Sequence, residues 1–272
     1  MITQNLHMHS TWDDGKCTVE EMIRASMAAG LSSVGFSVHA PMPFENSWEC
    51  PKERLPDYMA EVRALSQKYA GQMDVYCGIE WDVTAQDLDL SAYDYVIGSV
   101  HEIPVPEGGT RSADTSPEIT AQYIRECFGG DADAAAEAYF AELKKVADKE
   151  AVDIVGHFDL LTKFDEQHGF FNPESPRYQK AARSAMEALV RAGKIFEVNT
   201  GAISRGYRTS PYPSKALLMQ LYEMGGCVTV SADAHHVSGV ACAFSEAEKL
   251  VRACGFSQIW VLTDSGFRPV AL

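Results

Sequence analysis

The run Ile2-Thr-Gln-Asn-Leu-His-Met8, the segment opening at Thr18-Val-Glu-Glu21 and the run Ser33-Val-Gly-Phe-Ser-Val38 read together as one strand–helix–strand unit. The outer runs are short and β-rich. Thr18 and Glu21 stand three apart, so their side chains can reciprocally satisfy backbone N–H groups of a first helical turn. Gly30, which adopts the left-handed conformation without steric cost, closes the helix. A strand that follows its helix at once belongs to an α/β fold with a mainly parallel sheet.

The alternation continues outward from this unit. Helix Leu55–Tyr69 leads to a third strand, Asp74–Ile79, and Tyr93–Val100 forms a fourth. Helical stretches near Pro117–Phe128 and Asp133–Lys149 precede strand five, Asp153–Gly156. Helix Arg177–Ala192 feeds strand six, Ile195–Val198, and helix Ser214–Met224 feeds strand seven, Cys227–Ser231. A last helix near Ser245–Ala253 precedes a terminal strand, Gln258–Leu262. Seven βα units predict a closed or nearly closed barrel. No repeat, low-complexity tract or linker interrupts them, which predicts a single domain over residues 1–272.

Composition narrows the function. The 272 residues carry 23 Lys and Arg against 38 Asp and Glu, a formal charge of −15, so the surface repels anionic membranes and argues against long nucleic acid. It would repel a phosphate ester as well, unless bound metal ions supplied local positive charge. Seven scattered cysteines without a CxxC spacing argue against both a disulfide framework and a thiolate zinc site. The start, Met1-Ile-Thr-Gln-Asn, is polar and no apolar run is long enough to span a bilayer; the expected location is the cytoplasm. No GxGxxG follows a strand, and neither Ser204 nor Ser238 sits in a nucleophile elbow.

The histidines are the informative residues. His7 and His9 end strand one, His39 follows strand two, and Glu80 ends strand three. His101 ends strand four, His157 ends strand five, Glu197 and Asn199 close strand six, and Asp233 and His235 follow strand seven. Six of eight histidines thus fall at carboxyl ends of different strands, the face on which barrels build active sites. Residues i and i+2 of an extended chain point the same way, so His7 with His9, and Asp233 with His235, can each reach one ion. Glu80, after Gly78-Ile79, can bridge two cations, which a single imidazole nitrogen cannot. His168 and His236 lack this context.

The residues His7-Met-His9-Ser10, Asp14-Gly15, Gly35-Phe-Ser-Val-His39-Ala-Pro41 and Gly78-Ile-Glu80 carry a family resemblance. So do Gly98-Ser-Val-His101, Gly156-His157-Phe-Asp159, Glu197-Val-Asn199-Thr-Gly201 and Ser231-Ala-Asp233-Ala-His235. In this order and at these strand ends the chain resembles the polymerase-and-histidinol-phosphatase (PHP) family over nearly its whole length. The resemblance implies a distorted, TIM-like (β/α)7 barrel holding two or three metal ions. By motif, a first site would use His7, His9, Glu80 and Asp233, and a second would share Glu80 and add His101 and His157. A third would use Asp14, His39 and His235; relatives often carry His at the Asp14 position, and Asp13 is an adjacent competitor.

Within the family, His39-Ala-Pro41, Gly156-His157-Phe-Asp159 and Asn199-Thr-Gly201 with Arg205 resemble the histidinol-phosphatase branch. General members carry Asp where this chain has Ser37. The activity implied is hydrolysis of L-histidinol phosphate to L-histidinol and phosphate, a step of histidine biosynthesis. Imidazole and carboxylate ligands suit divalent or trivalent Zn, Mn or Fe.

The expected chemistry is attack on phosphorus by hydroxide held between the first two ions, with the third gripping a phosphoryl oxygen. Glu80, Asp159 and Arg205 are the expected catalytic residues: a bridge, an orienting or proton-donating group, and a cation that matches phosphate bidentately. Lys163, Arg208 and Asn199 join Arg205 as expected substrate contacts. The rival substrates are nucleotides or other small phosphate esters and diesters. A non-catalytic metal-binding module would leave ligand positions unfilled, whereas every one here carries a competent side chain. The sequence sets no oligomeric state.

Overall fold

The structure is a computed structural model that describes residues 1–105, 108–112 and 114–272. The strands are β1 (Gln4–Asn5), β2 (Ser33–His39), β3 (Asp74–Asp82), β4 (Tyr95–Ser99), β5 (Glu102–Pro104), β6 (Thr110–Ser112) and β7 (Ile154–Val155). Then come β8 (Ile195–Asn199), β9 (Cys227–Ser231), β10 (Gln258–Thr263) and β11 (Gly266–Ala271). The helices are α1 (Val19–Ala28), α2 (Leu55–Lys68), α3 (Pro117–Phe128), α4 (Ala132–Lys144) and α5 (Asp165–His168). They continue with α6 (Pro176–Arg191), α7 (Gly201–Ser204), α8 (Lys215–Glu223) and α9 (Phe244–Ala253). The capping box forms as expected: the Thr18 amide donates to Glu21 Oε2 at 2.8 Å, and the Glu21 amide donates to Thr18 Oγ1 at 3.3 Å.

Seven strands form one parallel sheet in the order β1-β2-β3-β4-β7-β8-β9. The sheet curls until its edges meet beyond the strand ends. There the Ala234 amide donates to His7 O at 3.1 Å and the His9 amide donates to Ala234 O at 3.0 Å. This seam makes a nearly closed, distorted barrel. Buried Asn5 stitches it further: its Oδ1 accepts from the His7 and Ala232 amides at 3.1 Å each, and its Nδ2 donates to Val240 O at 2.9 Å. Those side-chain bonds stand in for ladder bonds, which is why the first strand is shorter than the Ile2–Met8 expected from its composition.

Period-two alternation sorts the barrel strands. On β3, Val75, Cys77 and Ile79 pack outward in the large core beneath the helices, while Tyr76 joins the inner cluster. Tyr95 fills that interior, donating its hydroxyl to Leu6 O at 2.5 Å. A Cβ on Gly35 or Gly78 would lie only 2.4 or 2.2 Å from Tyr95, so the ring occupies the space their missing side chains leave. The bottom of the barrel is tied to the β10–β11 hairpin, where Gln4 exchanges two hydrogen bonds with the Leu262 backbone at 2.8 and 2.9 Å.

Five elements were not expected from the sequence: the paired strands β5 and β6, the short helices α5 and α7, and β11. All are brief or lie at an edge, where hydrophobic periodicity is weakest. Among the described residues, no helix is long and apolar enough to cross a membrane.

Candidate active site

The barrel delivers its polar residues to one rim. Glu80 lies at the carboxyl end of β3, fully buried, with five imidazoles around its two oxygens. His157 Nε2 is 2.9 Å and His101 Nε2 3.5 Å from Oε1, to which the Ser99 hydroxyl also donates at 2.7 Å. Around Oε2 stand His39 Nδ1 at 3.0 Å, His7 Nε2 at 3.2 Å and His9 Nε2 at 3.6 Å. Asp233 Oδ1 faces His9 Nε2 at 3.4 Å and His7 Nε2 at 3.7 Å. On the open side, Asp14 Oδ1 lies 3.1 Å from His235 Nε2 and 3.8 Å from His39 Nε2. The His9 ring is stacked between His39 and His235, with centroids 4.3 and 4.2 Å away.

All nine residues expected to ligate metal therefore converge. Their donor atoms fall into four compact groups: His9, Asp14, His39 and His235; His7, His9 and Asp233; His7, Glu80 and His157; and His39, Glu80 and His101. Within each group the donors lie within 4.8 Å of one another. A cation fits this donor set on two further grounds. First, His7 Nε2, His9 Nε2, Asp14 Oδ1 and Glu80 Oε2 are buried with no hydrogen-bond partner among the described residues, an arrangement costly for polar atoms that nothing coordinates. Second, the cavity above them is lined by five carboxylates and only three Lys or Arg side chains. Such a lining rejects phosphate unless metal ions reverse its charge.

Carboxylates behind the imidazoles fix their orientation. Glu197, on β8, accepts from His7 Nδ1 at 2.6 Å, the His157 amide at 2.8 Å and the Ser231 hydroxyl at 2.5 Å. Asp13 Oδ2 pairs with His9 Nδ1 at 2.7 Å and accepts from the His39 amide at 3.1 Å. This places Asp13 behind the ligand set and leaves Asp14 in front. Asp82 accepts from the His101 amide at 2.6 Å and lies 3.3 Å from its Nδ1. Asp82 was missed in the sequence, although its spacing of two from Glu80 on one strand was the available signal.

Electrostatics follow from this packing. Burial alone would lower the His7 pKa, but Glu197, Glu80 and Asp233 raise it well above the ordinary imidazole value. Burial likewise opposes the charge on His9 and His101, yet Asp13 carries the first to about 10 and Glu80 the second to about 9. Burial would raise the Glu80 pKa, and the neighbouring His7, His39 and His101 hold it far below the usual carboxylate range.

The expected substrate contacts separate. Arg205 and Lys163 line the cavity of about 370 Å³ above the imidazoles. Arg205 is already committed to Asp233, donating from Nη2 to Oδ2 at 3.0 Å and from Nη1 to the backbone oxygen at 2.9 Å. Asp233 has a positive φ of 47°, and a Cβ on Gly201 would lie 2.8 Å from its own Cβ, so Arg205 and Gly201 together hold this candidate ligand in a strained backbone position.

Arg208, Asn199 and Asp159 are not among the residues that line the cavity. Arg208 donates to Thr162 and Ser210 and lies 4.5 Å above the Tyr212 ring, and with Asp159 it borders a separate cleft. Asp159 accepts from the Ser214 amide at 3.1 Å. Asn199 donates to Glu197 at 2.9 Å and accepts from the Gly201 amide at 2.8 Å, which makes it scaffold. His168 and His236 are exposed.

Comparison with known proteins agrees with this architecture. Residues 5–201 match the PHP domain family. The chain is 32% identical over 250 residues, 88% of each chain, to the "Probable histidinol-phosphatase" of Deinococcus radiodurans. It is 24% identical over 274 residues to the histidinol-phosphatase of Lactococcus lactis subsp. lactis, covering 96% of this chain and 94% of the relative. The crystal structure of histidinol phosphate phosphatase from Lactococcus lactis subsp. lactis, solved with Zn, L-histidinol and phosphate, superposes with a TM-score of 0.75 over 98% of both chains at 20% identity. The fold and the extent of the sequence match lead to one conclusion: this chain belongs to the PHP domain family.

Proposed function

We propose that the chain is a metal-dependent phosphatase that hydrolyses a small phosphate monoester, L-histidinol phosphate, to L-histidinol and phosphate. The observation that carries this reading is the convergence of nine ligand-type side chains, seven of which line one cavity whose own carboxylates would repel phosphate. The cavity volume, about 370 Å³, lies in the small-molecule range and supports a compact ester over a polymer. The sequence relatives named histidinol-phosphatase support the choice of alcohol.

His7, His9, Asp14, His39, Glu80, His101, His157, Asp233 and His235 would hold two or three Zn, Mn or Fe ions. When bound, such ions neutralise phosphoryl oxygens and lower the pKa of the attacking water. The chain's own residues prepare that chemistry. Glu197, Asp13 and Asp82 fix the imidazole orientations, so no reorganisation is needed at the moment of reaction. Arg205 locks Asp233 and adds a fixed positive charge at the cavity edge, where the phosphoryl group would sit.

The test is phosphate release by metal-loaded enzyme from L-histidinol phosphate, nucleoside monophosphates and an aryl phosphate. The expected result is a selective preference for L-histidinol phosphate. A preference for a nucleotide would overturn the assignment.

A further inference from the structure

Two carboxylates in the cavity wall have no place in the metal floor. Glu102, on β5, and Asp114, just past β6, line the same cavity but belong to none of the groups able to hold a cation. A site that had only to bind a phosphate dianion would gain nothing from them, because like charges this close to an anion oppose its binding. Their position is nevertheless well built. Asp114 Oδ2 pairs with Lys163 Nζ at 3.0 Å, and the same Nζ donates to the Asp114 backbone oxygen at 2.8 Å. The Lys163 ammonium also lies 5.1 Å over the Tyr207 ring and 5.5 Å over Phe164. Among the described residues, no Lys or Arg pairs with Glu102.

The third wall is aromatic. Trp48 meets His39 edge-on at 4.9 Å and lies 5.8 Å from His101. Its loop is held by Asn46, whose side chain accepts from the Trp48 and Glu49 amides at 3.1 Å each. Cavity floor and wall therefore differ in character: a cation-binding floor suited to phosphate, and beside it anionic and aromatic groups suited to a positive charge.

From this juxtaposition we propose that Asp114, fixed by Lys163 and assisted by Glu102, binds a protonated amine on the substrate a few bonds from the phosphate. The site then selects amino-alkyl phosphate esters, and Lys163 is a positioning residue that holds the Asp114 carboxylate in the cavity wall. Trp48, which lines the same cavity, supplies aromatic surface for whatever planar group the alcohol carries beyond the amine. This assignment rests on the phosphatase reading given above.

The experiment compares two esters that differ only in the amine: L-histidinol phosphate and 3-(imidazol-4-yl)propyl phosphate. Losing a charged hydrogen bond predicts that Asp114→Asn lowers kcat/KM for the amine ester about 10- to 100-fold. The des-amino ester should change by less than about 3-fold. Glu102→Gln should move the same ratio in the same direction by less, and Asp114→Glu should restore part of the preference. Equal losses on both esters, or no preference in the wild type, would overturn the assignment and make Asp114 a mere anchor for its loop. Calorimetric binding of L-histidinol to metal-loaded wild type and Asp114→Asn gives a readout free of turnover. There, unchanged affinity in the variant would overturn the assignment as well. Failure of the wild type to hydrolyse either ester, with Asp114-dependent L-histidinol binding intact, would sink the phosphatase reading alone.

Discussion

Replacing Glu80 by Gln tests the centre of the site with little change in shape. The carboxylate stands 2.9 to 3.6 Å from imidazole nitrogens of five histidines and takes part in two of the four donor groups. The amide keeps one carbonyl oxygen but turns the other position into a donor, opposing any cation there and removing a full negative charge. Loss of an orienting partner behind a ligand costs about 10- to 100-fold in metal affinity. A shared ligand removed from two cation positions should cost at least about 100-fold. Loss of one preorganised electrostatic contact costs about 100- to 1,000-fold in rate, so turnover should fall about 1,000-fold or more. The barrel should persist, because its core is a separate apolar cluster of outward-facing residues. The assay is elemental analysis of desalted protein alongside phosphate release and far-UV circular dichroism. A folded variant with wild-type metal content and turnover would refute the bridging role.

Other perturbations probe the surroundings. Glu197→Gln should lower metal affinity and activity about 10- to 100-fold, because His7 Nδ1 loses its orienting carboxylate; unchanged metal retention on dialysis against chelator would contradict this. Arg205→Ala should both weaken substrate binding and reduce metal content, since it frees Asp233, and Arg205→Lys should not restore both; a rise in KM with full metal occupancy would limit Arg205 to a substrate contact. Metal uptake at pH 7 should release protons, because His9 and His101, carried to about 10 and about 9 by nearby carboxylates, must give up theirs. Calorimetry in buffers of different ionisation enthalpy reads that release. In chelator-treated protein these raised values stabilise the fold fully below the unfolded imidazole pKa of about 6.5, and the contribution disappears as pH rises through about 9 to 10. The Tm of that form should therefore fall between pH 7 and 10, and a flat or rising Tm would argue against these ion pairs.

Local patterning carried most of the architecture. The capping box at Thr18, the helix-closing Gly30 and the run Pro117–Phe128 appear in the structure where the sequence puts them, because each depends on neighbours within a few residues. The nine candidate ligands were legible for a related reason: strand ends can be located from composition, and a parallel barrel sends every strand's carboxyl end to one rim. Less was legible around them. Asp13 and Asp14 are adjacent and chemically alike, and only the turn after His9 decides that one pairs behind His9 while the other faces His235. Arg205 and Arg208 are three apart in one loop, yet one reaches Asp233 and the other turns to Thr162 and Tyr212.

By itself, then, the sequence determined the alternation of strands and helices, the family and the identities of the candidate donors that converge, all of which follow from short-range periodicity and residue chemistry. Tertiary structure alone decided which carboxylates stand in front of the imidazoles and which behind, and which cations reach the cavity. It also brought Trp48, Glu102 and Asp114 to the same cavity. Those outcomes depend on side-chain direction across contacts between distant segments, where a fraction of a turn in one loop moves a charge from a ligand to a scaffold.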